Sequence, residues 1–346
     1  MSVSRKSFLI GTAALSTTAL LAACGSSKNS SKSSSGQGDG KTIEVKHVFG
    51  TTDVPEGVTR IATIAWANQD VVLALGIMPV GFYKQTWGVE DGSGMLPWTK
   101  QKVDELVAKG ETAPTLFDDT SGTPFEAINA TKPEVILAAY SGLEKEDYEK
   151  LSKIAPTVAY PQIPWGTPWR ETITMDATAI GKKDEGDKLV ADLEKQVADT
   201  VAAYPQIAGK AAAFCYTADG DASKFGFYTT ADPRTAFLSD LGMKVPASVE
   251  KASKEKPDAF NVDIASENVD MLSDFDLIVM YGEEGDLAGL QASTLLSQVP
   301  AISKGAIAFV GNNNAQAAST NPGPLSIPWG IANYVKLIAA AADKAK

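Results

Sequence analysis

Short runs of consecutive apolar residues alternate with amphipathic segments along most of the chain. The first half predicts a strand at 60–65, a helix at 70–75 that leads into 75–80, a helix at 125–131, a strand at 133–140, and then a further helix and a strand at 156–160. The second half repeats that order, with a strand at 210–216, a helix at 234–241 that leads into 241–245, a helix at 264–272, a strand at 275–281, and then a further helix and a strand at 306–310. Continuous apolar strands separated by helices are typical of parallel sheets covered on both faces. The pattern therefore predicts an α/β fold of two similar lobes with mainly parallel sheets.

The ends of the predicted helices carry local signals. Gly76 and Gly242 each follow the leucine that ends the first helix of a copy, and glycine is favoured there because it adopts a left-handed conformation. The segment from Thr123 to Glu126 opens a later helix with proline in its first turn. That spacing predicts a capping box, with Thr123 as the N-cap and Glu126 three residues on.

A helical stretch separates the two copies. Residues 169–180 predict one helix ending near Gly181, and residues 184–203 predict a longer one. About twenty residues at 1.5 Å rise would span roughly 30 Å, the length of a whole lobe. We therefore expect one long rigid helix to join the lobes and to limit hinge closure. The expected division is a lobe at 41–168, a connecting helical segment at 169–205, and a lobe with a terminal helix at 206–346.

The amino terminus has the pattern of an exported lipoprotein. A basic start precedes an uncharged apolar stretch that is shorter than the roughly 20 residues a membrane-spanning helix needs. It ends in Leu-Ala-Ala-Cys, which resembles a bacterial lipobox with Cys24 as the lipidated residue. We expect a signal peptide at 1–23, a flexible tether at 24–40 that is too polar to form a core, and anchoring at Cys24. The protein would lie on the extracytoplasmic face of the bacterial cytoplasmic membrane, exported by general secretion or the twin-arginine route.

Composition and charge exclude several classes of partner and site. Lys+Arg 31 against Asp+Glu 42 gives a net charge of -11, and an acidic chain repels a phosphate backbone, so we expect no nucleic-acid partner. His47 is the only histidine, which excludes a multi-histidine metal site. Its alternating surroundings predict an exposed strand position. Cys215, in an apolar run, is expected to be a buried free thiol. An enzyme built on carboxylates alone stays open at this point.

Several of these segments together resemble the ferric-siderophore (iron-chelate and cobalamin) substrate-binding proteins of bacterial ABC importers. The resemblance covers residues 41–346 and rests on segments 58–63, 70–81, 125–128, 132–137 and 148–158, with the long helix after Gly181. It implies an extracytoplasmic receptor that captures a ferric siderophore between two lobes and delivers it to the transmembrane subunits of an ABC permease. It also implies a helical-backbone solute-binding protein with no enzyme activity and no resident cofactor, since the ligand is an Fe(III)-siderophore complex. We expect a monomer that is attached to the membrane only through its lipid.

Loops after the predicted strands are rich in aromatic and amide side chains. Ligands of parallel sheets sit beyond the carboxyl ends of the strands, so these loops should line a cleft between the lobes. Rings give a chelate flat contact area, and cationic or amide donors bind its oxygens. We expect ligand contacts from Trp66, Lys84, Trp87, Tyr140, Trp165, Arg170, Tyr216, Phe227, Tyr228, Arg234, Tyr281 and Asn312. The resemblance implies four of these contacts, namely Trp66, Lys84, Trp87 and Tyr140, and no metal ion is expected to be coordinated directly by the protein.

Some assignments have a structural alternative. Arg170 and Arg234 could instead form salt bridges at the surface or between the lobes. By the resemblance, Glu126 and Glu267 would each dock one lobe onto basic residues of the permease. Glu126 could also serve only in the predicted capping box.

Other functions stay open at this point. The ligand could be another bulky metal chelate such as cobalamin or haem, or the protein could be a surface sensor of the same fold. A carboxylate-based extracellular hydrolase would need loop acids such as Asp118, Asp119, Glu283 or Glu284. The siderophore class, whether hydroxamate, catecholate or carboxylate, and the degree of lobe closure are also left open by the sequence.

Overall fold

The computed structural model describes residues 41–217 and 225–346, whose strands form two five-stranded sheets and one hairpin. The strands are β1 (Thr42–His47), β2 (Gly50–Pro55), β3 (Ile61–Thr63), β4 (Gly81–Tyr83), β5 (Thr115–Phe117), β6 (Val135–Leu137), β7 (Thr157–Val158), β8 (Ala212–Thr217), β9 (Phe225–Tyr228), β10 (Asn261–Asp263), β11 (Leu277–Met280) and β12 (Ile307–Phe309). The helices are α1 (Asn68–Ala74), α2 (Pro97–Ala108), α3 (Phe125–Ala130), α4 (Lys145–Leu151), α5 (Trp169–Ala179), α6 (Lys183–Val201), α7 (Pro233–Asp240), α8 (Ala247–Glu255), α9 (Leu287–Ala292), α10 (Pro300–Ser303), α11 (Ala315–Ser319) and α12 (Ser326–Lys344).

The two large sheets repeat one topology. The first is fully parallel, in the order β5-β4-β3-β6-β7. The second has the order β10-β9-β8-β11-β12, in which β8, β11 and β12 are parallel and β9 is antiparallel to both of its neighbours. The orders correspond strand by strand, which confirms two similar α/β lobes with mainly parallel sheets. The antiparallel β9 was not predicted.

Interior strands of both sheets contribute to the hydrophobic core. β6 and β11 are built only from apolar side chains, and every one of them is buried. A strand covered on both faces needs apolar residues on both, which explains the continuous runs in the sequence. The core of the second lobe also includes Val71 of α1 and Ile173 of α5, so packing is continuous between the two sheets.

Both predicted glycine helix ends are confirmed. Gly76 after α1 and Gly242 after α7 have φ values of 78° and 80°. The N–H of the next residue then bonds back to the last turn, from Ile77 to the carbonyl of Val72 and from Met243 to the carbonyl of Leu238, each at 3.1 Å. This is the bonding pattern of a Schellman motif, which fits the repeat of the two lobes.

Alanine at either glycine should therefore destabilise the protein through the backbone alone. An added Cβ at Gly76 or Gly242 would meet no atom within 4 Å, so the cost is the left-handed conformation, about 1–2 kcal/mol for each site. Gly289, inside α9 with equally open space, is the matched control. Gly289→Ala should stabilise by about 0.5–1 kcal/mol because alanine favours a helix. Urea unfolding measures both, and effects of the same sign at all three sites would contradict this account.

Two helices connect the lobes. α6 has 19 residues and so spans roughly 28 Å, in agreement with the predicted long helix. Its buried positions Leu193 and Val197 face the core, while lysine–carboxylate pairs lie on its exposed side. α5 packs against α1, and α6 packs against α5 and α12. Within residues 41–217 and 225–346, no helix combines the length and the apolar character needed to cross a membrane.

The predicted exposure of His47 is wrong. The side chain is buried in the β1–β2 hairpin, where Nδ1 accepts a hydrogen bond from the N–H of Phe49 at 3.2 Å. Nε2 therefore carries the proton and lies 2.9 Å from Thr52 Oγ1. Burial lowers the pKa of His47, which favours the neutral ring that the acceptor role of Nδ1 requires, and this ring packs within the hairpin.

Candidate ligand-binding site

A cavity of about 580 Å³ lies between the two sheets, a volume in the range of small-molecule sites. Half of the residues that line it are aromatic. The lining consists of Ala65, Trp66, Tyr83, Lys84, Gln85, Thr86, Trp87, Asp119, Tyr140, Trp165, Tyr228, Arg234, Phe260, Tyr281, Asn312 and Asn321.

The first sheet supplies one wall through the loops that follow its strands. Trp66 follows β3, Trp87 follows β4, Tyr140 follows β6 and Trp165 follows β7. Because the strands are parallel, their carboxyl ends meet at one edge and bring these side chains together. The ring of Trp165 packs against Gly142, where any Cβ would collide with the indole nitrogen. The sequence thus places four aromatic side chains on a single sheet edge.

The second lobe supplies the opposite wall, whose main polar group is Arg234 at the start of α7. Its Nε and Nη2 donate to the two carboxylate oxygens of Asp232 at 2.8 and 2.6 Å. Nη1 donates to Tyr281 Oη at 2.9 Å, and the guanidinium lies 3.6 Å from the ring centroid of Tyr228. Asp232 is fully buried, whereas the Arg234 side chain is 14% exposed. The buried carboxylate therefore holds a cationic fork in a fixed orientation beside the cavity.

Both cationic side chains that line the cavity are paired with carboxylates. Arg234 is paired with Asp232, and Lys84 Nζ lies 4.0 Å from Asp118 at the exposed rim. Burial raises the pKa of Asp119, which also lines the cavity. Burial raises the pKa of Tyr228 to about 12, so this phenol is neutral at physiological pH. The wall presents aromatic faces and hydrogen-bond donors with little net charge.

The lobes touch each other at the cavity. The rings of Trp87 and Tyr281 meet edge-on, with centroids 5.4 Å apart. Asn321 Nδ2 donates to Tyr140 Oη at 3.1 Å, and the N–H of Gly88 donates to Asn313 Oδ1 at 2.9 Å. These contacts connect the two walls directly.

Nine of the twelve residues predicted to contact a ligand line this one cavity. They are Trp66, Lys84, Trp87, Tyr140, Trp165, Tyr228, Arg234, Tyr281 and Asn312. Their shared position supports the prediction of a cleft between the lobes, and their contact with a ligand stays a proposal.

Arg170 lies outside the cavity, and its predicted role is corrected. Its Nε donates to Glu194 Oε1 at 2.6 Å and its Nη1 to Asp240 Oδ2 at 2.8 Å. The guanidinium also lies over the ring of Trp169 at 4.3 Å. Arg170 thus takes the structural alternative, joining α5 to α6 and α7 by salt bridges.

Phe227 and Tyr216 also lie outside the cavity. Phe227 is completely buried, because successive side chains of β9 point to opposite faces and only the next residue, Tyr228, reaches the cavity. Tyr216 Oη donates to Asp263 Oδ1 at 2.6 Å and accepts from Asn261 Nδ2 at 2.7 Å. Its ring packs against that of Tyr228, with centroids 5.0 Å apart, and Tyr216 is not among the residues that line the cavity.

Several cavity residues were not among the predicted contacts. Gln85 and Thr86 belong to the loop after β4 that was identified, and Asp119 was considered only as a hydrolase acid. Phe260 precedes β10, and Asn321 precedes a Pro-Gly-Pro turn. The turn marks a loop, but nothing local indicates that the loop returns to the cavity.

The remaining predicted sites lie away from the cavity. Glu126 is exposed at the start of α3, but the predicted capping box is wrong, since Thr123 Oγ1 donates to Asp147 Oδ2 at 2.6 Å and Pro124 occupies the N-cap. Glu267 lies in a 3-10 helix (Ser266–Leu272), and its side chain is not described. Cys24, with the signal peptide and tether, falls outside the described residues.

The fold and the cavity define a bilobal α/β binding protein. Residues 61–313 match the family described as Periplasmic binding protein, and the chain belongs to that family. The probable siderophore-binding lipoprotein YfiY of Bacillus subtilis (strain 168) is 30% identical over 269 residues, which cover 76% of this chain and 74% of that protein. These matches confirm the family predicted from the sequence and a binding protein without enzyme activity.

Solved structures of other proteins are also similar to this fold. PiaA of Streptococcus pneumoniae TIGR4 in complex with ferrichrome is 43% identical, with a TM-score of 0.83 over 88% of this chain and 100% of that chain. Staphylococcus aureus SirA complexed with staphyloferrin B is 21% identical, with a TM-score of 0.65 over 88% of this chain and 98% of that chain. The second likeness supports the fold alone.

Proposed function

We propose that this protein is the substrate-binding component of an ABC importer for ferric siderophores. The observation that carries the proposal is the aromatic cavity between the two lobes, where eight rings and one oriented arginine converge. A chelate brings its own oxygen ligands for iron and needs from the protein flat contact area and donors to those oxygens. The relatives give no support to the cobalamin, haem or hydrolase alternatives.

Within that function, the charges of the cavity favour a neutral chelate. Iron(III) bound by three hydroxamates has no net charge, whereas three catecholates leave it strongly negative. Arg234 is already neutralised by Asp232, and Asp119 adds a carboxylate to the lining. A polyanionic chelate would meet no net positive charge to offset its desolvation. The proposed ligand is therefore a ferric tris-hydroxamate of the ferrichrome type, the ligand present in the PiaA complex.

The proposal includes the location and the transport partner. The relative named above is a lipoprotein, which supports an extracytoplasmic position with the membrane anchor at Cys24. Exposed Glu126, with Glu267, would dock one lobe each onto the permease, and the protein would act as a monomer. The lobe boundaries 41–168 and 206–346, with the connecting segment 169–205, belong to the same proposal.

Titration of the mature protein with three chelates tests this function. Ferric ferrichrome should quench tryptophan fluorescence with a Kd below about 1 µM, because Trp66 and Trp87 line the cavity. A ferric tricatecholate should bind at least about 100-fold more weakly because of its charge. Iron-free ferrichrome and ferric citrate complete the comparison. Trp329, on α12 and outside the cavity lining, provides the control, since Trp329→Phe should leave the quenching unchanged.

The outcomes separate the class of ligand from the general function. Tighter binding of the tricatecholate would contradict the neutral-chelate proposal but keep a siderophore receptor. Absence of binding by all the ferric chelates would contradict the proposed function itself.

A further inference from the structure

Asn68 lies behind the cavity wall, and its side chain is completely buried. Its amide nitrogen lies 2.8 Å from the carbonyl oxygen of Ile64, 3.0 Å from that of Tyr140 and 3.2 Å from that of Trp66, so its two hydrogens serve three acceptors and one of them is shared. Its amide oxygen accepts from the N–H of Tyr140 at 3.0 Å. A side chain that does not line the cavity is thus bonded to the backbone of two residues that do.

The Asn68 amide takes the place of a peptide group in the first sheet. β3 and β6 pair as far as Thr63 and Leu137, and the N–H of Ile64 still donates to the carbonyl of Leu137 at 3.0 Å. The chain then turns from β3 into α1. The Asn68 side chain bonds both the N–H and the carbonyl of Tyr140, which satisfies two backbone groups that the turn would otherwise leave buried without a partner.

The loop that carries Trp66 also depends on this amide. Ala65 and Ala67, on either side of the tryptophan, have φ values of 64° and 63°. Residues with a Cβ rarely adopt this left-handed region, since the Cβ comes close to the backbone. The bonds from Asn68 to Ile64 and Trp66 fix the carbonyl groups on both sides of Ala65 and hold the loop in this conformation.

The position of Tyr140 determines further parts of the cavity. Its ring packs edge-on against Trp165, with centroids 5.5 Å apart, and its hydroxyl accepts a hydrogen bond from Asn321 of the second lobe. A shift of the Tyr140 backbone would therefore move a second ring and alter a contact between the lobes.

We propose that Asn68 is a positioning residue for ligand binding, which holds Trp66 and Tyr140, from two neighbouring strand ends, at the spacing that receives the chelate. This role rests on the proposed function, because it concerns the same cavity. Asn68 itself touches no ligand and acts through the backbone of the two aromatic residues.

Two substitutions test the role through the affinity for ferric ferrichrome. Asn68→Ala removes all four hydrogen bonds and should weaken binding about tenfold or more. Asn68→Asp keeps the acceptor for the N–H of Tyr140 but, when ionised, loses every donor and repels three carbonyl oxygens. Protonation returns one O–H donor, so the ratio of its Kd to the wild-type Kd should fall between about pH 8 and pH 5. The same ratio for Asn68→Ala should stay constant.

A measurement without ligand shows which tryptophan side chains change their surroundings when Asn68 is replaced. With 5-fluorotryptophan incorporated, the 19F resonances of Trp66 and Trp165 should shift or broaden in Asn68→Ala, while that of Trp329 stays unchanged. Asn129→Ala, an exposed asparagine in α3, should move none of them. Val249→Ala, a fully buried site in α8, lowers stability away from the cavity and should leave the affinity unchanged.

The readouts distinguish this role from the proposed function. If wild-type protein does not bind ferric ferrichrome, the neutral-chelate proposal fails, and if it binds none of the ferric chelates, the proposed function fails as well. In either case the 19F spectra alone decide whether Asn68 positions the rings. If wild-type protein binds and both variants bind within about twofold of it, the positioning role is overturned. Unchanged resonances of Trp66 and Trp165 would overturn it as well. If Asn68→Ala does not fold, the pH profile of Asn68→Asp decides.

Discussion

Replacing Arg234 with alanine is expected to weaken the binding of ferric ferrichrome by about 10- to 100-fold. The guanidinium is the oriented donor beside the cavity, and hydrogen bonds to a charged group contribute about 1.5–3 kcal/mol each. The same change should lower the free energy of unfolding by about 3–5 kcal/mol, because it leaves the fully buried Asp232 without its counter-charge. Fluorescence titration and urea unfolding measure the two effects separately.

Arg170→Ala is the matched control. Arg170 also pairs with two carboxylates, but it lies outside the cavity and its side chain is 38% exposed. We expect unchanged affinity and a stability loss of about 0–1 kcal/mol for each pair. Arg234→Lys, which keeps the charge but loses the fork, should fall between wild type and alanine. Equal affinity losses for Arg234→Ala and Arg170→Ala would refute the assignment of Arg234 to the ligand.

Replacing Asp176 with leucine is expected to stabilise the protein. Asp176 lies in α5 with its side chain completely buried, and among the described residues neither carboxylate oxygen has a hydrogen-bond partner. Removing an unsatisfied buried polar group should raise the free energy of unfolding by about 1–3 kcal/mol at neutral pH. Asp192→Leu, at an exposed position of α6, controls for the difference in helix propensity and should change stability by less than about 0.5 kcal/mol.

The gain from Asp176→Leu should depend on pH. Burial raises the pKa of Asp176 well above its usual value, so the folded protein keeps a proton that the unfolded chain releases near pH 3.8. The contribution of Asp176 to the free energy of unfolding is therefore most favourable below pH 3.8. It is lost as the pH rises towards the pKa that Asp176 has in the folded protein. The advantage of the variant should be larger at about pH 8 than at about pH 5 in urea unfolding. A gain that is absent, or that grows on acidification, would contradict the buried, protonated carboxyl.

The sequence predicted the fold because its main signals are local. Continuous apolar strands, the glycines after α1 and α7, and the amphipathic α6 each report a periodicity or a backbone requirement within a few residues. The antiparallel β9 was missed because the sequence just before residues 225–228 lacks the amphipathic pattern that precedes most of the other sheet strands. The exposure of His47 was predicted wrongly because alternation shows only that one face of a strand is buried. It does not show which other segments cover the second face.

The candidate site was predictable where it follows strand ends. Trp66, Trp87 and Tyr140 lie in loops that the parallel topology brings to one edge, so their approach follows from the fold class. The choice between Arg170 and Arg234 did not follow, because both begin helices next to cleft loops. Asp240 and Glu194 surround Arg170, whereas Tyr281 and Tyr228 surround Arg234. Most of these neighbours lie far from the arginine along the chain, so only the tertiary structure distinguishes the two arginines.

The location of iron in the complex tests the central claim most directly. We expect crystals of the mature protein grown with ferric ferrichrome to show one anomalous scattering peak for iron. That peak should lie inside the cavity, between Trp66 and Tyr140 on one wall and Arg234 on the other. An iron peak outside this space, or bound chelate that leaves the cavity open, would contradict a receptor that binds its ligand between the two lobes.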